Sequence, residues 1–231
     1  MVVIGVDGCP GGWLAVRWAP QTGRVEHLHS DSVIAVLDGL PDASAIAIDI
    51  PIGLNHCKSR ACDIEARRLI KPRHNSVFPA PDARVVHFRD YLTALAWSRD
   101  LCGKGISRQV HAIFWRIHDA NNIITPGHQD RVVEVHPELS FWALNSKSPL
   151  VFAKRSPEGF EIRRLLLQDA LGIDIPYASE LRRICRPAEA DDVLDVMVAA
   201  WTAHRLALGI AERIPDQPES GVNGLRMEMV Y

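Results

Sequence analysis

An aspartate that closes a run of apolar residues needs a reason, because a buried strand end strips its carboxylate of water. The chain does this twice: Val2-Val-Ile-Gly-Val6 runs into Asp7, and Ala45-Ile-Ala-Ile-Asp-Ile50 carries Asp49. Glu134 interrupts a third such run, Arg131-Val-Val-Glu-Val-His136. Asp192 and Asp195 share one face of a helix predicted over Ala188–Leu208, and Asp195 is flanked by Leu194 and Val196. No lysine or arginine lies near that pair in sequence. Were all five to converge, each pair ~4 Å apart would cost about 4 kcal/mol at an effective dielectric of ~20. A hard divalent ion with oxygen ligands, Mg²⁺ or Mn²⁺, removes that cost. Two such ions would activate a water and stabilise the leaving oxygen in phosphodiester hydrolysis. Blander explanations stand beside this one. Asp7 and Asp49 could each close an Asx-type turn, and Glu134 with His136 could lie on a half-exposed strand face. Glu189, Asp191 and Glu138 fall in first helical turns, where the macrodipole accounts for them.

The elements that must position these groups follow from apolar patterning. Strands are predicted at Val2–Val6, Trp13–Trp18, Val25–His29, Ala45–Ile50 and Arg131–His136, with a helix from a Ser32 cap through Leu40, stopped by Pro41. Between the last two strands the pattern turns helical. Cys57–Ile70, Tyr91–Leu101 and Ser107–Asn121 make a helical insertion over roughly residues 55–128. Helices at Pro137–Asn145, Pro157–Leu171 and Tyr177–Cys185 precede the longest one, and Leu225–Tyr231 reads as an edge strand or a docked tail. The class is α/β, with a mixed sheet and one domain over residues 1–231. In such a sheet, ligands bind beyond the carboxyl ends of the central strands.

Composition narrows the function classes. Apolar residues make up 47% and charged ones 23%, ordinary globular usage, and the net charge of −2 excludes a generally basic nucleic-acid binder. No apolar run suits a membrane span, and the N-terminal stretch lacks a basic leader, so a cytoplasmic location is expected. Five cysteines with no Cys-x-x-Cys pair argue against disulfides and a structural zinc. Lys58-Ser-Arg60 through Arg67–His74, with Arg163, Arg164, Arg182 and Arg183, could hold backbone phosphates or form solvated helix faces. Trp97, Phe114, Trp115, Phe141, Trp142 and Trp201 read as packing. Gly8-Cys-Pro-Gly-Gly12 has the look of a phosphate-cradling turn, while Gly103–Ser107 lacks P-loop spacing.

The order β-β-β-α-β-α-β-α with carboxylates at these positions resembles the ribonuclease H-like fold. More narrowly, Gly5-Val-Asp-Gly-Cys-Pro-Gly-Gly-Trp13, Asp49-Ile-Pro-Ile-Gly-Leu54, Asn75-Ser-Val-Phe-Pro79, Glu134-Val-His-Pro-Glu138 and Asp191-Asp-Val-Leu-Asp195 resemble the DUF429 family of predicted nucleases. The stretch Asp192–Asp195 is also similar to the end of the RuvC-type resolvases. The resemblance implies a metal centre in which Asp7 bridges the ions, Asp49 or Glu134 supplies the middle carboxylate, and Asp192 and Asp195 form the helix pair. The partner it implies is nucleic acid, of DNA or RNA type left open, and a homo-oligomer is also open. The alternatives are a non-catalytic nucleotide- or metal-binding module of the same fold, and a phosphotransferase related to actin-like ATPases.

Overall fold

The computed structural model describes residues 1–38 and 42–231. Strand β1 (Val3–Cys9) turns back through Pro10 and Gly11 into β2 (Gly12–Ala19), which leads into β3 (Arg24–Ser30). Gly11 takes φ +83°, the left-handed conformation that a tight hairpin turn asks of a glycine. After α1 (Val33–Asp38) come β4 (Ala45–Asp49) and, much later, β5 (Val132–Glu134). Leu40 and Pro41, expected to end α1, lie outside the described residues. The five strands form one mixed sheet in the order β3-β2-β1-β4-β5. The first three are antiparallel, and β4 and β5 run parallel to β1.

Between β4 and β5 stand α2 (Ala61–Leu69), α3 (Tyr91–Cys102), α4 (Arg108–Ala112) and α5 (Phe114–Ile123). The helix expected from Cys57 starts only at Ala61, because Cys57 adopts φ +54° and Arg60 is extended as the N-cap. The helix expected over Ser107–Asn121 breaks at Ile113. Cys57 and Cys102 form a disulfide, against the expectation of thiols that merely pack. Their separation of 45 residues gave no local sign of the pairing, and the odd total conceals one bonded pair beside three buried thiols.

The helices α6 (Pro137–Leu144), α7 (Pro157–Leu171), α8 (Ala178–Ile184) and α9 (Ala190–Ala207) follow β5. The C-terminal stretch is a docked tail. Leu225, Met227, Met229 and Tyr231 are buried, and β6 (Arg213–Ile214) pairs with β7 (Met229–Val230). Among the described residues no helix is long and apolar enough to cross a membrane.

Strand alternation divides the core in two. Val3, Ala45, Ala47 and Val133 face a cluster built on α9, with α6, α7 and α8 beyond it. Ile4, Val6, Ile46, Ile48 and Val132 face the opposite cluster, which includes Val36, Phe114 and Ile117. Helix α9 lies directly on β1. A Cβ on Gly5 would stand 2.0 Å from the Val196 carbonyl oxygen and 2.4 Å from the Ala200 nitrogen, so only glycine permits that approach. This close seat brings the start of α9 to the carboxyl ends of β1 and β4.

Candidate functional site

Asp7 and Asp49 are register partners on adjacent parallel strands. By alternation they share the face of Gly5 and Ala47, the face that α9 covers. Helix α9 opens on a reciprocal cap. The Glu189 side chain accepts from the Asp192 backbone, and Asp192 Oδ2 accepts from the Glu189 N–H at 3.1 Å. Asp195 follows one turn later and is buried. Asp7, Asp49, Asp192 and Asp195 therefore line a single cavity of about 370 Å³, with Lys154 and Arg116 in its wall.

No side-chain or backbone donor among the described residues bonds to the carboxylates of Asp7 or Asp49. The Asx-turn explanation for both therefore has no hydrogen bond to support it. Burial first, then Asp49 and Asp195, hold the Asp7 carboxyl well above the ordinary carboxylate range. Burial and then Asp195 push Asp49 up to about 8. Asp192 and Asp195 are also raised, chiefly by burial. Four acidic groups that resist ionisation share too little positive charge.

The counter-charge present is Lys154, from the loop before α7. Its Nζ lies 2.5 Å from Asp195 Oδ2 and 3.2 Å from Asp191 Oδ2, and Arg155 Nε lies 3.1 Å from the same Asp191 oxygen. Burial works against the ammonium charge, but Asp195 and Asp191 outweigh it and hold Lys154 firmly protonated. The sequence offers no signal for this residue, which reaches the helix pair from 41 positions away. Arg116 was equally unmarked. It donates from Nη2 to the Cys9 carbonyl at 2.5 Å and from Nε to the Gly12 carbonyl at 3.2 Å. Its guanidinium lies 4.4 Å from the Trp115 ring centroid. A Cβ on Gly8 would meet it at 2.7 Å. The Gly8–Gly12 segment, whose chemistry suggested a phosphate cradle, is thus a hairpin turn with two carbonyls committed to an arginine.

Glu134 lines the same cavity, with Arg60, but is held differently from the other four carboxylates. Its register partner is Ile48, one residue short of Asp49, so alternation turns it to the opposite face. There Arg60 meets it with two bonds of 2.7 Å, and the Ile52 N–H adds a third at 2.6 Å. Arg60 also pairs with Asp63. Glu134 is 3% and Arg60 2% exposed, so the carboxylate is fully committed to a buried pair. Both its oxygens accept from Arg60, so the expected role as a ligand competes with that of a strut joining β5 to the loop before α2. The expected face shared with His136 also dissolves, because β5 ends at Glu134. His136 caps α6, accepting at Nδ1 from the Glu138 N–H and leaving Nε2 to donate to the Ser76 carbonyl.

The basic runs separate in the same way. Arg163, 1% exposed, holds Glu138 with two bonds, and Arg164 is buried against Glu161, so neither faces phosphate or solvent. Arg182 and Arg183 are exposed and paired with Glu189 and Glu180, as a solvated face requires. Phe114, Phe141 and Trp142 pack as expected, whereas Trp97 is exposed and stacks on Phe88.

Whether a divalent ion fits can be judged from the donors. The set consists of hard oxygens, two of its carboxylates lack a donor, and the shared burial leaves negative charge unbalanced; this suits Mg²⁺ or Mn²⁺. Among the described residues, no three of these carboxylates bring oxygens all within 4.8 Å of one another, so the ring is open around Lys154. The tight set is elsewhere, at Cys57, Cys102 and Asp82. There the sulfurs are spent on the disulfide, and Arg84 helps to hold the Asp82 carboxyl below its ordinary range, against burial.

Fold and site together define an α/β protein with a mixed five-stranded sheet, flanked by helices, and a buried carboxylate cluster at the ends of its central strands. The chain belongs to the DUF429 family, described as a protein of unknown function, whose model matches residues 5–220. No curated protein and no solved structure matches the chain.

Proposed function

We propose that the protein is a metal-dependent nuclease of the ribonuclease H-like class, hydrolysing phosphodiesters in nucleic acid. The sheet order supports this, since three antiparallel strands followed by two parallel ones is the arrangement that the sequence resemblance implies. The observation that carries the reading is the meeting of Asp7, Asp49, Asp192 and Asp195, from three separate elements, in one cavity. These four would hold Mg²⁺ or Mn²⁺, with Asp192 and Asp195 as the RuvC-like helix pair. When bound, the divalent ion supplies an activated water and a stabilised leaving oxygen. Asp7 and Asp49, on rigid strand ends, would hold the ion, and the ion rather than either carboxylate would hold the phosphate. Lys154 offsets the charge of Asp195 and would keep a further N–H to donate to a phosphate oxygen. Arg73 and Arg155, at the rim of the adjoining cavity of about 460 Å³, add positive charge toward the flanking backbone.

A second reading has its own support. The Lys154 ammonium already sits on Asp195, and the ring of oxygens is open. Both features suit a non-catalytic module whose acidic pocket is neutralised internally. A cytoplasmic setting belongs to the first reading, although the Cys57–Cys102 disulfide is uncommon there. Melting with and without Mn²⁺ tests metal binding. The nuclease reading expects Mn²⁺ to raise the midpoint of the wild type but not of Asp7→Asn, and expects Mn²⁺-dependent nicking of labelled DNA or RNA that Asp195→Asn abolishes. A metal shift without turnover on either nucleic acid leaves the module.

A further inference from the structure

Phe78 lies in the loop between α2 and α3, and the backbone of that loop is fixed on both sides of it. The Ser76 carbonyl accepts from His136 Nε2 at 3.2 Å, and the Ser76 hydroxyl donates to the Arg73 carbonyl at 2.9 Å. The Val77 carbonyl accepts from Arg67, and the Val77 side chain is buried. On the far side, the Ala80 N–H donates to Asp63 at 3.0 Å, the same carboxylate that pairs with Arg60. Backbone fixed this closely would ordinarily bury its one large apolar side chain. Phe78 instead remains 41% exposed.

What it is exposed to is specific. Phe78 lines the carboxylate cavity, the adjoining cavity with Arg73 and Glu138, and a third cavity of about 680 Å³ beneath α3. Lys58, paired with Glu219, lines the third with Arg67 and Lys104, which donate to the Val77 and Cys57 carbonyls; Asp82 is the acidic group of its lining and is itself matched by Arg84. Gln109 lines the second and third beside Phe78, and its amide makes no hydrogen bond among the described residues. An aromatic face on a rigid loop, an unspent amide and a cationic cavity on the side away from the carboxylates suit a polyanion carrying planar, hydrogen-bonding groups.

We propose that Phe78 is a stacking platform for one unpaired nucleobase, with Gln109 beside it to bond the base edge. The substrate is accordingly single-stranded, its backbone passing from the carboxylate cavity toward Lys58 and Lys104. This rests on the nuclease reading for the identity of the strand. A duplex cannot use the platform, because both faces of each paired base are covered by its neighbours. Stacking also tolerates any sequence, since every base has a π-face.

The test is fluorescence anisotropy with Ca²⁺ in place of Mn²⁺. The probes are a short labelled strand of mixed sequence, the same strand made duplex, and the same strand with abasic sites. The wild type should prefer the intact single strand. Phe78→Ala should weaken that binding about 5- to 150-fold, Phe78→Trp should retain it, and binding of the abasic strand should be indifferent to either change. An unchanged circular dichroism spectrum and midpoint for Phe78→Ala would confirm that the fold is intact. Equal loss on intact and abasic strands, no loss on either, or duplex binding as tight as single-strand binding overturns the platform. Nicking on addition of Mn²⁺ is scored separately. Platform behaviour without nicking removes the nuclease and keeps Phe78 as part of a binding module, whereas nicking that Phe78→Ala leaves untouched removes the platform alone.

Discussion

Replacing Glu134 by glutamine, and separately by alanine, distinguishes a metal ligand from a structural strut. The buried Arg60 donates two of its short bonds to this carboxylate and has Asp63 and the carbonyls of Ile52 and Gly53 as its other partners. Breaking a buried pair by removing one partner costs about 3–5 kcal/mol, mainly because the other charge is stranded. With an unfolding entropy of about 2.1 cal/mol/K for each of 231 residues, that loss lowers the midpoint by about 6–10 °C for Glu134→Ala. Glutamine keeps one acceptor and should lose about half as much, because charge-assisted bonds become neutral ones. The assay is thermal melting followed by circular dichroism, with and without Mn²⁺. At 100 times its dissociation constant the ion contributes about 2.7 kcal/mol, a rise of roughly 5–6 °C. Glu134→Gln should melt lower than the wild type yet keep the whole of this rise, whereas Asp7→Asn should lose it. A Glu134→Gln protein that melts with the wild type and no longer responds to Mn²⁺ would refute the strut and restore Glu134 as a ligand.

The pH dependence of the metal-free protein has a definite sign. Asp49 binds its proton more tightly folded, at about 8, than unfolded, at the usual 3.8. Stability is therefore fully present below pH 4 and is lost as pH rises toward 8, at up to about 1.4 kcal/mol per pH unit. Urea midpoints measured across that range should fall more steeply for the wild type than for Asp49→Asn, and equal slopes would exclude the shift. Reduction of Cys57–Cys102 frees a loop of 45 residues and should cost about 4 kcal/mol by chain entropy; unchanged melting in a dithiol reductant, with thiol release verified by labelling, would contradict it. Gly5→Ala must push α9 off β1, costing about 1–3 kcal/mol. Because α9 carries Asp192 and Asp195, this change should also weaken the Mn²⁺ response, and a variant with wild-type melting and metal affinity would show that the contact is not needed.

Much of the architecture was legible because its signals are local. Apolar runs marked the buried strands of the main sheet, and the turn chemistry of Ala19–Gly23 marked out the exposed β3. Errors fell where partners are remote. Arg60, Arg163 and Arg164 look in sequence like any solvated basic residues, yet each is buried, Arg60 and Arg163 against glutamates 74 and 25 positions away. The disulfide is of the same kind. The pairing of Glu134 was hidden for a subtler reason: the sequence places it correctly in a strand but contains no register, and a single step relative to Asp49 decides the face.

The four remaining carboxylates were found because their burial could be read locally, but the balance of charge among them could not. Lys154 is shared between Asp191 and Asp195, and Asp7 and Asp49 receive no donor among the described residues. Such a cavity reaches neutrality by taking up protons or by taking up a cation. The first describes the free protein near pH 7, with Asp49 titrating at about 8. The second displaces those protons, so Mn²⁺ binding must release protons and tighten as pH rises. Lys154 counters part of the charge at the strand ends but donates to neither Asp7 nor Asp49, since its ammonium bonds α9. On the metal-dependent reading, the demand for a cation would thus fall on the pair that the two strands bring into register, Asp7 and Asp49, more than on the helix pair where the sequence made it most conspicuous.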